Sequence, residues 1–354
     1  MSKFKNIVIC CPGDVLISGG VNSLHNLCRT LSLIGYDASM YYLNPKEEII
    51  QSDYYLAYKV KRCTDLADDP ETLFVVPETL VPFLLQFHHA GKMIYWLGLL
   101  FYFKTPSWSP PFNIKFFRTF IKCKSYFGYS SGAIENMQRK LNEYAKSHLD
   151  IWNGEVFHLS NSYFVGDYCR EKGAKTWVLH NPIRDEFYTE QVLPLREKLI
   201  LFGPHTQPAW ISRAKRLLPG FQIIKLRKLP SSTVFDLMSK AMVFVEIGIF
   251  SGRDRMPREA AMRGCVVLVN NRGTAGNDKD YLLESNYRID ENKVDQILET
   301  LSVIVNNYNT HFEKQSSFRN SLISERNNFR INTDNIFSSL LKIRDPNESR
   351  KHEQ

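Results

Sequence analysis

Arg253, Arg255 and Arg258, followed at once by Glu259, place three guanidinium groups and a carboxylate on one short stretch of chain. Arginine presents a planar fork of donors that matches phosphate oxygens, so the cluster suits a diphosphate. A solvated loop with these arginines paired to Asp254 and Glu259 is the commoner reading of the charges alone. Their place between two buried strands makes a ligand site an equally good reading. Met242-Val243-Phe244-Val245 is an apolar run of strand length, Gly248 to Pro257 reads as a loop, and Arg258 to Arg263 has helix propensity with a proline before it. Gly264 ends that helix, and Cys265 to Val269 forms a second buried strand. The charged loop therefore lies at the carboxyl end of a parallel strand, where helix N-termini and loop amides gather unpaired donors. Glu246 and Asp254 are the acidic side chains beside it.

The elements that must position this loop alternate strand and helix along the chain. Asn6 to Cys11 reads as a first strand, Pro12 to Ile17 as a loop, Ser18-Gly19-Gly20-Val21 as the lead into an amphipathic helix Asn22 to Ile34, and Tyr36 to Leu43 as a second strand. Gly19 and Gly20 let backbone amides approach an anion, or make an ordinary tight turn. Leu73 to Glu78, Lys92 to Leu97, Phe157 to Ser160 and Thr176 to Leu179 continue the pattern. After a linker near Asp185, Lys198 to Phe202 starts a fresh set and ends at Gly203-Pro204-His205. Phe221 to Leu226 follows, then a hydroxyl-capped helix from Ser231. Arg272-Gly273-Thr274-Ala275-Gly276 is a second glycine-bearing loop, a turn or a phosphate or sugar contact at Thr274. His88 and His89 read as helix-end partners rather than catalysts.

Val243 to Gly264 resembles, without gaps, the signature segment of retaining glycosyltransferases of the GT-B fold, the glycosyltransferase family 4 type that includes bacterial polysaccharide transferases. Its closing pattern is matched by Glu259-Ala260-Ala261-Met262-Arg263-Gly264 and the strand Cys265-Val266-Val267. The resemblance implies an α/β chain of two Rossmann-like domains facing each other across a cleft. It gives Glu259 the ribose hydroxyls of a nucleotide-sugar donor and places Gly19 and Gly20 in a glycine loop near the donor phosphates. Gly203 stands where the family has a glycine followed by a diphosphate clamp; the nearby cations are Arg213, Lys215 and Arg216, after an unusual Pro208-Ala209-Trp210. The family's upstream glutamate falls on Ser251, which leaves Asp254 or Glu246 as catalytic candidates. Donor binding is thus expected from Glu259, Arg253, Arg255, Arg258, Gly203, His205, Gly19, Gly20 and Thr274, with no metal and no cofactor beyond the nucleotide sugar as co-substrate.

The expected activity is transfer of a sugar from a nucleotide-diphosphate sugar to a glycan or lipid-linked acceptor, in bacterial surface polysaccharide synthesis. A GT-B-shaped nucleotide or glycan binder without turnover, or a sugar-nucleotide epimerase, are the rivals. The domains expected are 1–184 on the acceptor side, 185–315 on the donor side, 316–343 as a helix packing back on the first, and 344–354 as a disordered tail. The 354 residues carry a net charge of +8, and 44% are hydrophobic, enough for two cores. The basic residues are spread out with no nucleic-acid module, so no nucleic-acid partner is expected. Seven cysteines without a Cys-x-x-Cys, and no signal-peptide core, point to a reduced cytoplasmic chain. The apolar run Met93 to Phe103 is too short to span a bilayer and reads as a core strand. The aromatic and basic stretch Tyr102 to Tyr129 reads as a helix that is buried or rests on an anionic membrane surface, which would place the protein peripherally on the inner face.

Overall fold

A computed structural model describes residues 4–15, 18–104, 150–188, 195–248, 250–290 and 293–342. Most of the aromatic and basic stretch at 102–129 and the tail at 344–354 lie outside the described residues. The chain divides into two compact units. The first comprises 1–161, 165–179 and 330–354, and the second 162–164 and 180–329.

The first unit is built on a seven-stranded, wholly parallel sheet. Its elements are β1 (Asn6–Pro12), α1 (Gly19–Leu33), β2 (Asp37–Leu43), α2 (Glu47–Ile50), α3 (Asp53–Leu56), β3 (Lys61–Arg62), β4 (Thr72–Pro77), β5 (Gly91–Trp96), α4 (Leu99–Lys104), β6 (Val156–Ser160), α5 (Tyr163–Glu171) and β7 (Thr176–Val178). The strand order is β3-β2-β1-β4-β5-β6-β7. Apolar runs make this possible, because strands covered on both faces have no use for alternation: β4 is buried from end to end. Helix α1 packs Leu24, Leu27, Cys28 and Leu31 inward, the spacing its sequence has. It starts earlier than expected. Ser18 is its N-cap and accepts the amide of Val21 at 3.0 Å, so Gly19 and Gly20 form the first turn rather than a loop before it. The apolar run from Met93 to Phe103 is split between β5 and α4.

The second unit holds a five-stranded parallel sheet, in the order β12-β11-β10-β8-β9. Its elements are β8 (Glu197–Phe202), α6 (Pro208–Leu217), β9 (Gln222–Lys225), α7 (Ser231–Lys240), β10 (Ala241–Glu246), α8 (Arg255–Met262), β11 (Val266–Asn270), β12 (Arg288–Ile289), α9 (Val294–Asn306), α10 (Tyr308–Lys314) and α11 (Ser316–Lys342). Phe202, Phe244, Val245, Val267 and Leu268 fill the core around the central strands. Three local readings change. Pro208 opens α6 at its first position, where a missing N–H costs nothing, so Pro208-Ala209-Trp210 is a helix start. Helix α7 has Pro230 at its N-cap and no side-chain cap, so Ser231 does not cap it. Helix α8 begins at Arg255, three residues early, with Pro257 inside its first turn.

The division between the units falls at Leu179/His180, five residues before the expected boundary, and α11 is shared, with residues up to Phe329 counted in the second unit. Strand β12 covers only Val269 and Asn270 of β11, leaving the earlier half of that strand without a partner on one side. Gln315 fills the gap: its Oε1 accepts the amide of Val267 at 2.9 Å and its Nε2 donates to the Val267 carbonyl at 2.9 Å. Gln315→Leu should keep the bulk and orphan two buried backbone groups, at a cost of about 1–3 kcal/mol. Chemical denaturation reads the loss directly, and an unchanged midpoint would show that water replaces the amide.

Candidate nucleotide site in the second unit

The path of the chain through the second sheet fixes where a ligand belongs. From β8 the chain moves to β9 on one side, then crosses back to place β10 on the other. The carboxyl ends of β8 and β10 therefore form the topological switch point of this sheet, the position where open parallel sheets ordinarily take a ligand. Gly203, Pro204, His205 and Thr206 leave β8 there, and Glu246, Ile247 and Gly248 close β10.

Glu246 is 3% exposed and its carboxylate lies against Gly203, where an added Cβ would sit 1.8 Å from Oε2. Gly248 is equally constrained: a Cβ there would meet the His205 Cβ at 2.7 Å. Gly203 thus leaves room for the Glu246 carboxylate, and Gly248 leaves room for the His205 Cβ. The carboxylate accepts the Gly248 amide at 3.2 Å and the amide of His205. Burial raises its pKa to about 7, helped by Asp254 and opposed by the two amides and Lys225. Lys225 Nζ donates to the Thr206 carbonyl at 2.6 Å.

Asp254 occupies the N-cap position of α8 with extended dihedrals, yet its side chain makes no cap hydrogen bond. A capping carboxylate takes the amides of the second or third helical residue, and the third here is Pro257, which has none. Burial raises the pKa of Asp254 to about 7 against the pull of Arg258 and Arg255. Two acids that hold protons near neutrality thus sit at the switch point, a pattern that favours a functional site.

The three arginines have separate fates. Arg253 is buried, and its Nη2 donates to Glu325 Oε1 at 2.7 Å and to the Asp280 carbonyl at 2.8 Å. Arg258 is buried too and donates to the carbonyls of Asn181 at 2.6 Å, Arg253 at 2.8 Å and Asp254 at 3.1 Å. Both brace the loop rather than pairing in water, and Arg253 keeps its Nε and Nη1 buried without a hydrogen-bond acceptor. Arg255 differs: its Nη1 has no hydrogen-bond acceptor and lies 3.9 Å from Glu259 Oε1. Glu259, 2% exposed on the same helix, also meets Arg184 Nε at 3.3 Å. Thr274 is fully buried with an unpartnered Oγ1; its loop is held by Gly273, whose positive φ and close approach to the Phe250 carbonyl exclude any side chain. Thr206 Oγ1 is likewise buried and unpartnered.

Gly19 and Gly20 belong to the first unit. Their helix starts at that sheet's own switch point, between β1 and β4. Glu78, 2% exposed just past β4, accepts the amides of Leu97 at 2.8 Å and of Gly98; burial raises its pKa to about 7 against these bonds. His88 and His89 donate their amides to Asp68 at 2.8 and 2.9 Å.

The sequence reading missed Arg184, Thr206, Lys225 and Glu78. Arg184 follows the Asn181-Pro182 turn and Thr206 follows Gly203-Pro204, so strand-end punctuation could have flagged both. Glu325 and Asp280 carry no local signal, since their partners lie far away in sequence.

These paired sheets define the chain as a protein of the GT-B fold, as its central segment led us to expect. Among solved structures it is similar to sucrose-phosphate synthase from Thermosynechococcus elongatus, with a TM-score of 0.60 and 11% identity over 96% of this chain and 99% of that one. It is similar to TarM of S. aureus, with a TM-score of 0.51 and 12% identity over 80% of this chain; the match spans only 57% of TarM. The DNA-modifying β-glucosyltransferase of T4 phage, studied with its substrate uridine diphosphoglucose, matches with a TM-score of 0.50 and 11% identity over 96% of this chain and 100% of that one. At such identities the likeness is one of fold. No family profile and no curated protein sequence matches the chain.

Proposed function

We propose that the protein is a glycosyltransferase that takes a sugar from a nucleotide-diphosphate sugar, with uridine diphosphate as the first nucleotide to try. The observation that carries this reading is the set of donors without acceptors at the ligand end of the second sheet: Thr206 Oγ1, Thr274 Oγ1 and Arg255 Nη1. A diphosphate supplies oxygen acceptors for such a set, and the fold shared with glycosyltransferases supports the choice. The chemical difficulty is departure of a diphosphate from the anomeric carbon. Fixed positive groups aimed at the leaving oxygens lower that barrier. In this reading Arg255 and Arg184 supply the charge in place of a metal, Glu259 holds the ribose hydroxyls, and Asp254 faces the sugar.

Retention of configuration, kinship with the family 4 enzymes, and a glycan or lipid-linked acceptor of bacterial surface polysaccharide synthesis are parts of the same proposal. They rest on the resemblance of Val243–Gly264. Among the described residues no helix is long and apolar enough to cross a membrane. Contact with an anionic membrane surface from the 102–129 stretch is proposed alongside a lipid-linked acceptor.

Incubation with uridine, guanosine and thymidine diphosphate sugars tests the reading. A transferase releases nucleotide when an acceptor is present. A binder without turnover gains thermal stability but releases none, and an epimerase changes the sugar without any acceptor. Glu259→Ala should weaken nucleotide binding by about 1.5–3 kcal/mol, the worth of a charge-assisted hydrogen bond. Unchanged affinity by titration calorimetry would remove Glu259 from the site.

A further inference from the structure

Glu246 stands where an open parallel sheet ordinarily receives an anion. The amides of His205 and Gly248 come from the loops on either side of the switch point, and both point at this one carboxyl group. The chain thus fills its own anion cradle. Gly203 gives up its side chain to make room for it.

A second negative group beside an ionised Glu246 would be repelled, and few charges relieve the conflict. From β9, Lys225 is turned to the Thr206 carbonyl. From the start of α8, Asp254 adds negative charge, while Arg255 and Arg258 act on Asp254. From the loop after β8, His205 presents its amide and packs its Cβ beside Gly248. Among the described residues no arginine or lysine forms an ion pair with Glu246. A carboxyl so placed can coexist with a phosphate when it carries a proton, and it then becomes a donor.

Resting on the nucleotide-sugar reading, we propose that Glu246 binds the nucleoside diphosphate as a neutral carboxylic acid that donates its hydrogen to a phosphate oxygen, so that one proton enters from solvent with each nucleotide. No covalent bond changes; the proton is taken up on binding and returned on release. The acid would favour diphosphates over uncharged ligands and make their affinity fall as pH rises. It would also give its proton a place beside the departing phosphate.

Titration calorimetry of the full chain with uridine, guanosine and thymidine diphosphates, at pH 8 in buffers of different ionisation enthalpy, counts the protons. The wild type should take up close to one proton per nucleotide. Its affinity should fall up to tenfold per pH unit between pH 7 and 9. Glu246→Gln keeps a neutral group in the cradle and should bind with no uptake and a flat pH profile. Uptake of no proton by the wild type, or uptake that persists in Glu246→Gln and vanishes in Asp254→Asn, overturns the assignment. Absence of binding by all three nucleotides at both pH 6 and pH 8 overturns the nucleotide reading itself, and this inference with it. A matching melting temperature for Glu246→Gln shows that its response reports the site and not the fold.

Discussion

Replacing Arg253 by alanine should destabilise the second unit by about 3–5 kcal/mol, because it strands Glu325 in a buried place without its cation. Arg253 Nη2 bridges Glu325 and the Asp280 carbonyl. Burial alone would raise the pKa of Glu325, yet Arg253 and then His180 outweigh it and hold the acid far below the usual carboxylate range. Asp280 in turn accepts the amides of Tyr163 and Phe164 at 2.7 and 2.8 Å and lies 3.3 Å from His180 Nε2. Removing one guanidinium therefore disturbs a network whose side chains are at most 16% exposed. Thermal melting should fall by roughly 6–20 °C for the transition of that unit. The double change Arg253→Met with Glu325→Leu should recover much of the loss, since removing both charges removes the desolvation penalty. A shift of less than 1 °C in Arg253→Ala would show that Glu325 finds another partner.

Glu78→Gln should stabilise the protein at pH 8 and do little at pH 4. In the folded chain the Glu78 pKa lies near 7, raised by burial from its usual 4.5 despite the amides of Leu97 and Gly98. Between those values the folded state holds a proton that the unfolded state has lost, so stability is full below pH 4.5 and declines as pH rises toward 7. At about 1.4 kcal/mol per pH unit the decline amounts to about 3 kcal/mol. Glutamine keeps an oxygen for the Leu97 amide and does not titrate. Glu246 and Asp254 titrate in the same window in both proteins, so the difference between variant and wild type isolates Glu78. Urea denaturation at pH 4, 6 and 8 reads it out. A difference that stays constant across this range would mean that water reaches the acid.

The parallel sheets were plain in the sequence because Val243 to Val245 and Cys265 to Val269 are unbroken apolar runs, which a strand covered on both faces requires. Gly264 was legible for a local reason: its φ of +88° ends a helix where other residues would strain. The arginines were not legible in that way. Arg258 binds the Asn181 carbonyl and Arg253 binds Glu325, contacts spanning 77 and 72 residues, so spacing could not tell a brace from a ligand contact. Glu246 and Asp254 were recognised as acids near the right loop, but burial is what raises their pKa values, and burial depends on packing that spacing does not show. The early start of α8 was obscured by Pro257, which sequence habit places just before a helix and this chain places within its first turn.

That ring has a reach beyond backbone geometry. An aspartate at the head of a helix is ordinarily neutralised by the peptide hydrogens it finds there, and so becomes a quiet structural acid. Pro257 withdraws one of those hydrogens, and burial raises the Asp254 pKa to about 7 with no cap bond to oppose it. The charge state of this acid is left to burial by a residue that brings no functional group of its own, through an atom it lacks.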